Sequence, residues 1–127
     1  MKIIYNPQQN TLLVFGDLFV TIFNKTTGES LQRGLGGKVF DIDYSFSLDR
    51  VYIGTKYKEK QDKGMIRIYS ISSSLANKFF EITVPECSRF LVYPSDQRIY
   101  MQCGYTITFG LGNAGSKSNN YLVTKDR

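Results

Sequence analysis

Asp41 and Asp43 are the first residues in this 127-residue chain whose types and spacing could do chemistry. Two carboxylates two positions apart on a strand share a face, and a shared face is what a general acid and a general base need. The stretch from Phe40 to Tyr44 alternates apolar and acidic residues, however, as a half-buried strand does. The expectation is an outward polar row facing solvent, with no catalytic role. Histidine is absent from the chain, which excludes a Ser-His-Asp or Cys-His arrangement and removes the commonest general base and metal ligand. Cys87 and Cys103 are too few to hold zinc unaided. No catalytic, metal or cofactor residues are therefore expected.

Three smaller motifs resolve the same way. Gly110-Leu111-Gly112-Asn113-Ala114-Gly115 matches the dinucleotide fingerprint literally, but that fingerprint needs a helix to open there and an acidic residue about 20 positions later. Ser116-Lys117-Ser118-Asn119-Asn120 follows instead, so a polar loop is expected. Asn24-Lys25-Thr26 fits the glycosylation acceptor pattern and reads as a turn. If Tyr93 and Arg98 flank a four-residue turn, Cys87 falls opposite Gly104, one step from Cys103. Adjacent strand residues point to opposite faces, so one register slip decides whether the sulfurs meet. Reduced thiols are the expectation for a reducing compartment.

The elements that position these residues are strands. Apolar residues make up 42% and aromatics 14% of the chain, with nine Tyr and nine Phe, a composition that favours a globular β fold over disorder. Three segments share one order of signals: an apolar strand, a polar turn, a second strand and a third strand. The first runs Ile3-Ile4-Tyr5, then Leu12 to Gly16, then Phe19 to Asn24. The second runs Val39 to Tyr44, Val51 to Gly54, then Met65 to Ser70. The third runs Phe90 to Tyr93, Ile99 to Gly104, then Thr106 to Gly110. The spacing from first-strand Tyr to second-strand Gly (Tyr5 to Gly16, Tyr44 to Gly54, Tyr93 to Gly104) is nearly constant, which aligns the units. Weaker fourth strands are expected at Ser30 to Arg33, Phe79 to Val84 and Tyr121 to Thr124. The third strands alternate less regularly, as strands covered on both faces would. Ser72 to Lys78 is the one stretch that could form a helical turn. Gly34-Leu35-Gly36-Gly37 reads as a connector between units.

Four strands per unit of about 40 residues is the spacing of propeller blades. The units resemble β-propeller blades of the WD-repeat type and the related tyrosine-valine-repeat type. The Gly-His and Trp-Asp pairs that mark WD repeats are missing. Phe23-Asn24, Tyr69-Ser70 and Phe109-Gly110 stand where Trp-Asp would. The resemblance implies an all-β chain of three blade-like repeats, about 1–37, 38–86 and 87–127, forming a single domain or partial propeller over residues 1–127. A closed β-barrel or a two-sheet sandwich is the alternative. Such domains serve as rigid interaction platforms, and a ring needs about four blades to close. Three blades leave unpaired edges.

The expected function is a non-enzymatic protein-interaction module or scaffold, part of a larger propeller or assembly. Its partners would be another protein, a second copy, or the remaining blades of a longer chain. A basic nucleic-acid-binding β domain is the alternative, since the net charge is +5. Its binding residues would be Lys56, Tyr57, Lys58, Lys60 and Lys63 in the inserted Thr55 to Gly64 loop. Glu59 and Asp62 interrupt this cluster, which favours a solvated loop. Tyr105 and Tyr121 are further candidates for exposed stacking rings. No run of about 18 apolar residues is present. The N-terminus carries one basic residue and too short an apolar stretch for a signal peptide, so a cytoplasmic setting is expected.

Overall fold

A computed structural model describes residues 2–56, 63–85, 89–93, 95, 98–103, 106–110 and 121–125. Among them the regular structure is entirely strand, with no helix. The twelve strands are β1 (Lys2–Asn6), β2 (Thr11–Phe15), β3 (Phe19–Asn24), β4 (Ser30–Gly34), β5 (Val39–Ser45), β6 (Arg50–Lys56), β7 (Lys63–Ser70), β8 (Lys78–Pro85), β9 (Arg89–Tyr93), β10 (Arg98–Cys103), β11 (Thr106–Gly110) and β12 (Tyr121–Lys125). They form three four-stranded antiparallel sheets, each built from four consecutive strands. No sheet closes into a barrel. The barrel and the two-sheet sandwich are therefore both corrected: the first and last strands of each sheet remain edges, and there are three sheets.

Turn chemistry starts the first two sheets alike. The pairs Asn6↔Thr11 and Ser45↔Arg50 close four-residue turns, Pro7 to Asn10 and Phe46 to Asp49. The last turn residue is left-handed in both, Asn10 at φ 51° and Asp49 at φ 54°. Asn and Asp tolerate that conformation better than other side chains. In the third sheet Tyr93 pairs with Arg98, the register expected from sequence. Counted from these closing pairs, Tyr93 stands level with Asn6 and Ser45. Tyr5 and Tyr44 lie one position earlier, so the tyrosines are not equivalent. The Tyr-to-Gly alignment thus slips by one in the third sheet, although the strands it located are present.

Packing stacks the sheets with the second in the middle. One core joins Ile4, Leu13, Phe15 and Val20 of the first sheet to Val39, Ile42, Val51 and Ile53 of the second. A second core joins Tyr52, Ile66, Ile68, Ile82 and Val84 to Phe90, Val92, Ile99 and Met101 of the third. β6 alternates between the two cores and is buried from Val51 to Thr55. Each such apolar side chain contributes about 1.5–3 kcal/mol on burial. β6, not β7, is the strand covered on both faces, while β7 alternates buried and half-buried residues. The expectation of a third strand covered on both faces is corrected for β7.

The segment after β7 forms turns rather than a helical turn. Ser74 and Leu75 adopt φ of 52° and 69°, which no helix continues. Asn6, fully buried, seizes this turn by donating from Nδ2 to the Ser72 carbonyl at 3.1 Å and to Ser74 Oγ at 2.8 Å. Arg33 donates to the Leu75 carbonyl at 2.9 Å. The connector between the first two sheets is pinned from the other side, where Arg67 donates to the Leu35 carbonyl and to Thr55 Oγ1 at 2.9 Å while pairing with Glu81 at 3.2 Å.

Candidate interaction surfaces

Asp41 and Asp43 are half-buried and turned toward the third sheet, not into solvent. The Phe90 N–H donates to Asp41 Oδ2 and the Val92 N–H to Asp43 Oδ2, both at 2.7 Å. The other oxygen of each carboxylate accepts the next backbone N–H on its own strand: Ile42 to Asp41 Oδ1 and Tyr44 to Asp43 Oδ1, both at 2.9 Å. All four carboxylate oxygens therefore hold N–H groups of two strand edges. The i,i+2 spacing matches the two-residue repeat of outward N–H groups along β9. This pair is a clasp between sheets, and the expectation of a solvated polar row is corrected.

Asp49 anchors a second polar cluster that sequence reasoning did not single out. Its carboxylate accepts from Ser70 Oγ at 3.1 Å, the Ser72 N–H at 2.8 Å and Ser72 Oγ at 2.6 Å. Burial pushes the Asp49 pKa up, but the hydrogen bonds from Ser72, Ser70 and the Ile71 N–H outweigh it and hold the carboxyl below 3.8. A carboxyl depressed on folding stabilises above its unfolded pKa, and that contribution disappears as pH falls through the lower folded value. Asp49→Ala should cost about 2–4 kcal/mol, from orphaned donors and a left-handed alanine. Asp49→Asn should cost less and remove part of the acid slope below about pH 4. Urea midpoints across acid pH check both. A signal for this site existed in the Asn or Asp that ends each of the first two turns.

The outer flanks of the stack carry apolar side chains into solvent. Cross-strand partners share a face, so the register groups Ile3, Tyr5, Leu12, Val14, Phe19 and Phe23 on the outer side of the first sheet. Ile3 is 65% exposed, Phe19 48% and Tyr5 41%. On the third sheet the outward residues of β9 and β10 include Leu91, 55% exposed, and Tyr93, whose ring meets Tyr100 edge-on at 6.4 Å. Contiguous apolar patches of this kind mark interaction sites on soluble proteins.

The lysine loop is described only at its base. Lys56 ends β6 and pairs with Gly64, and Lys63 opens β7; both are exposed. Tyr57, Lys58 and Lys60 lie outside the described residues, as do Cys87, Tyr105 and Leu111 to Gly115. Cys103 is placed as the end of β10, opposite Thr106, and Tyr121 as the start of β12. Asn24 caps the β3–β4 turn by accepting the Thr26 and Thr27 N–H groups at 2.9 and 3.1 Å, the structural use expected of it. Among the described residues there is no cluster of three metal-ligating side chains and no helix long and apolar enough to cross a membrane. A scan of the chain against protein-family models finds no match, and neither does a comparison with curated proteins.

Proposed function

We propose that the chain is a non-enzymatic protein-interaction platform: three propeller-like blades, open at both flanks, acting in a cytoplasmic setting as part of a larger assembly. The occupant of each flank is a further four-stranded sheet supplied by protein. One observation carries this reading. The middle sheet is covered on both faces by sheets of its own kind, whereas the outer face of the first presents Ile3, Tyr5, Val14 and Phe19 to water. Stacked repeats bury a continuous core only where a neighbour is present.

Ile3→Lys combined with Val14→Lys tests it. Both side chains are exposed, so stability should change little, by about 0.5 kcal/mol per site. Binding of an apolar fluorescent dye should drop. A wild-type chain that binds no dye would overturn the platform reading. Retention of a partner through high salt supports an apolar interface. Steep loss with salt supports phosphate binding by the lysine loop instead.

A further inference from the structure

The clasp between β5 and β9 divides the edge strands of these sheets into two kinds. In β5 the outward N–H groups of Ile42 and Tyr44 are each met by the preceding aspartate. In β9 the residues preceding Phe90 and Val92 are Arg89 and Leu91, which offer no acceptor, and both N–H groups are met by Asp41 and Asp43 of the neighbouring sheet. β1 has the same register relative to its closing pair, Asn6↔Thr11. Ile3 and Tyr5 therefore occupy the positions of Ile42 and Tyr44, and their N–H groups turn outward along the free edge. They are preceded by Lys2 and Ile4, neither an acceptor. In this respect β1 is a strand of the β9 kind.

We propose that the sheet docking on β1 presents two carboxylates, two residues apart on its own edge strand, that accept the Ile3 and Tyr5 N–H groups as Asp41 and Asp43 accept those of Phe90 and Val92. The proposal rests on the platform reading above and names the chemistry of its occupant. Charge supports the assignment: Lys25 Nζ stands over the outward Tyr5 ring at 5.1 Å and the chain carries a net charge of +5, so an acidic strand is favoured there.

An unaltered second copy does not fit this edge. Counted back from Ser45 and Tyr93, the positions of Asp43 and Asp41 are held in the third sheet by Leu91 and Arg89. Laying that sheet against β1 of another copy would leave both N–H groups without acceptors and cover them with an apolar and a basic side chain, an unfavourable burial. The occupant is accordingly a different blade, one whose first strand reads Asp-x-Asp or Glu-x-Glu at these positions.

Transplanting the clasp tests the idea on the full chain. Arg89→Asp with Leu91→Asp alters two exposed residues and should convert the third sheet into a partner for β1 of a second copy. Light scattering should show wild type keeping its mass while the variant doubles it or forms longer head-to-tail species. Adding Tyr5→Pro removes one outward N–H without breaking a ladder bond, because proline is tolerated where the edge faces outward. It should reverse the association. Far-UV circular dichroism confirms that the variants fold, and Arg89→Asp alone, expected to associate more weakly, serves if the pair does not.

An unchanged mass for the folded variant, or association that Tyr5→Pro leaves intact, overturns the carboxylate clasp. If wild type still binds apolar dye and loses that binding with Ile3→Lys and Val14→Lys, the platform reading survives such a failure. If wild type binds no dye, both fail.

Discussion

Replacing Gly54 with valine is expected to pry the second and third sheets apart and to lower stability by about 3 kcal/mol or more. Gly54 sits in the buried middle of β6, opposite Ile66, on the face turned toward the third sheet. A Cβ placed there would lie 2.7 Å from Cζ of Phe40 and 2.8 Å from Cε2 of Phe90. Those two rings pack edge to face at 5.9 Å and 76° directly over the glycine. Neither ring can retreat freely. Phe90 is buried within the second core, and Phe40 also covers Gly64, where a Cβ would approach its ring to 3.1 Å. The smaller Gly54→Ala should cost about 1–3 kcal/mol by the same overpacking. Combining Gly54→Ala with Phe40→Ala should cost less than the sum of the two, since the second change removes the clashing ring. Thermal melts of the four proteins measure the coupling. Full additivity would show that the glycine is not a seat for the rings.

Strand positions were legible in the sequence because they depend on local chemistry. Asn10 and Asp49 end four-residue turns that accept left-handed residues, and the apolar run Val51 to Ile53 announces a buried strand. Even the weak fourth strands at Ser30, Phe79 and Tyr121 form, paired to third strands that template them. What the sequence did not reveal depends on contacts between sheets. Nothing within β5 says that Asp41 and Asp43 face β9, because alternation assigns two faces without naming the neighbour on either. The Ser72 to Lys78 segment has no local reason to avoid a helical turn. It is Asn6 and Arg33, from the first sheet, that hold it otherwise. Exposed Ile3 and Val14 look like core residues in sequence and would become core only against a partner. Of the lysine loop, Lys56 and Lys63 are brought to one hairpin, while Tyr57, Lys58 and Lys60 lie outside the described residues.

Loss of the clasp carries the other large effect. Asp41→Ala with Asp43→Ala should destabilise the chain by about 3–5 kcal/mol, a large part of the 5–15 kcal/mol that holds a typical domain together. Each substitution removes two charge-assisted bonds, one to its own strand and one across the junction. The N–H groups of Phe90 and Val92 would be left facing a half-buried seam from which water is partly excluded. Asn at both positions keeps one oxygen acceptor per side chain but loses the charge and the second oxygen. Its cost should fall near half that of the alanine pair. Two measurements separate this account from a general loss of packing. Urea midpoints give the total. Native-state hydrogen exchange at Phe90 and Val92 should accelerate in both variants far more than exchange in β2 or β3, which the clasp does not touch. Uniform acceleration across all three sheets would mean that the aspartates act on global stability alone. Acceleration confined to β5 and β9 would instead establish the carboxylate pair as the device that joins one sheet to the next.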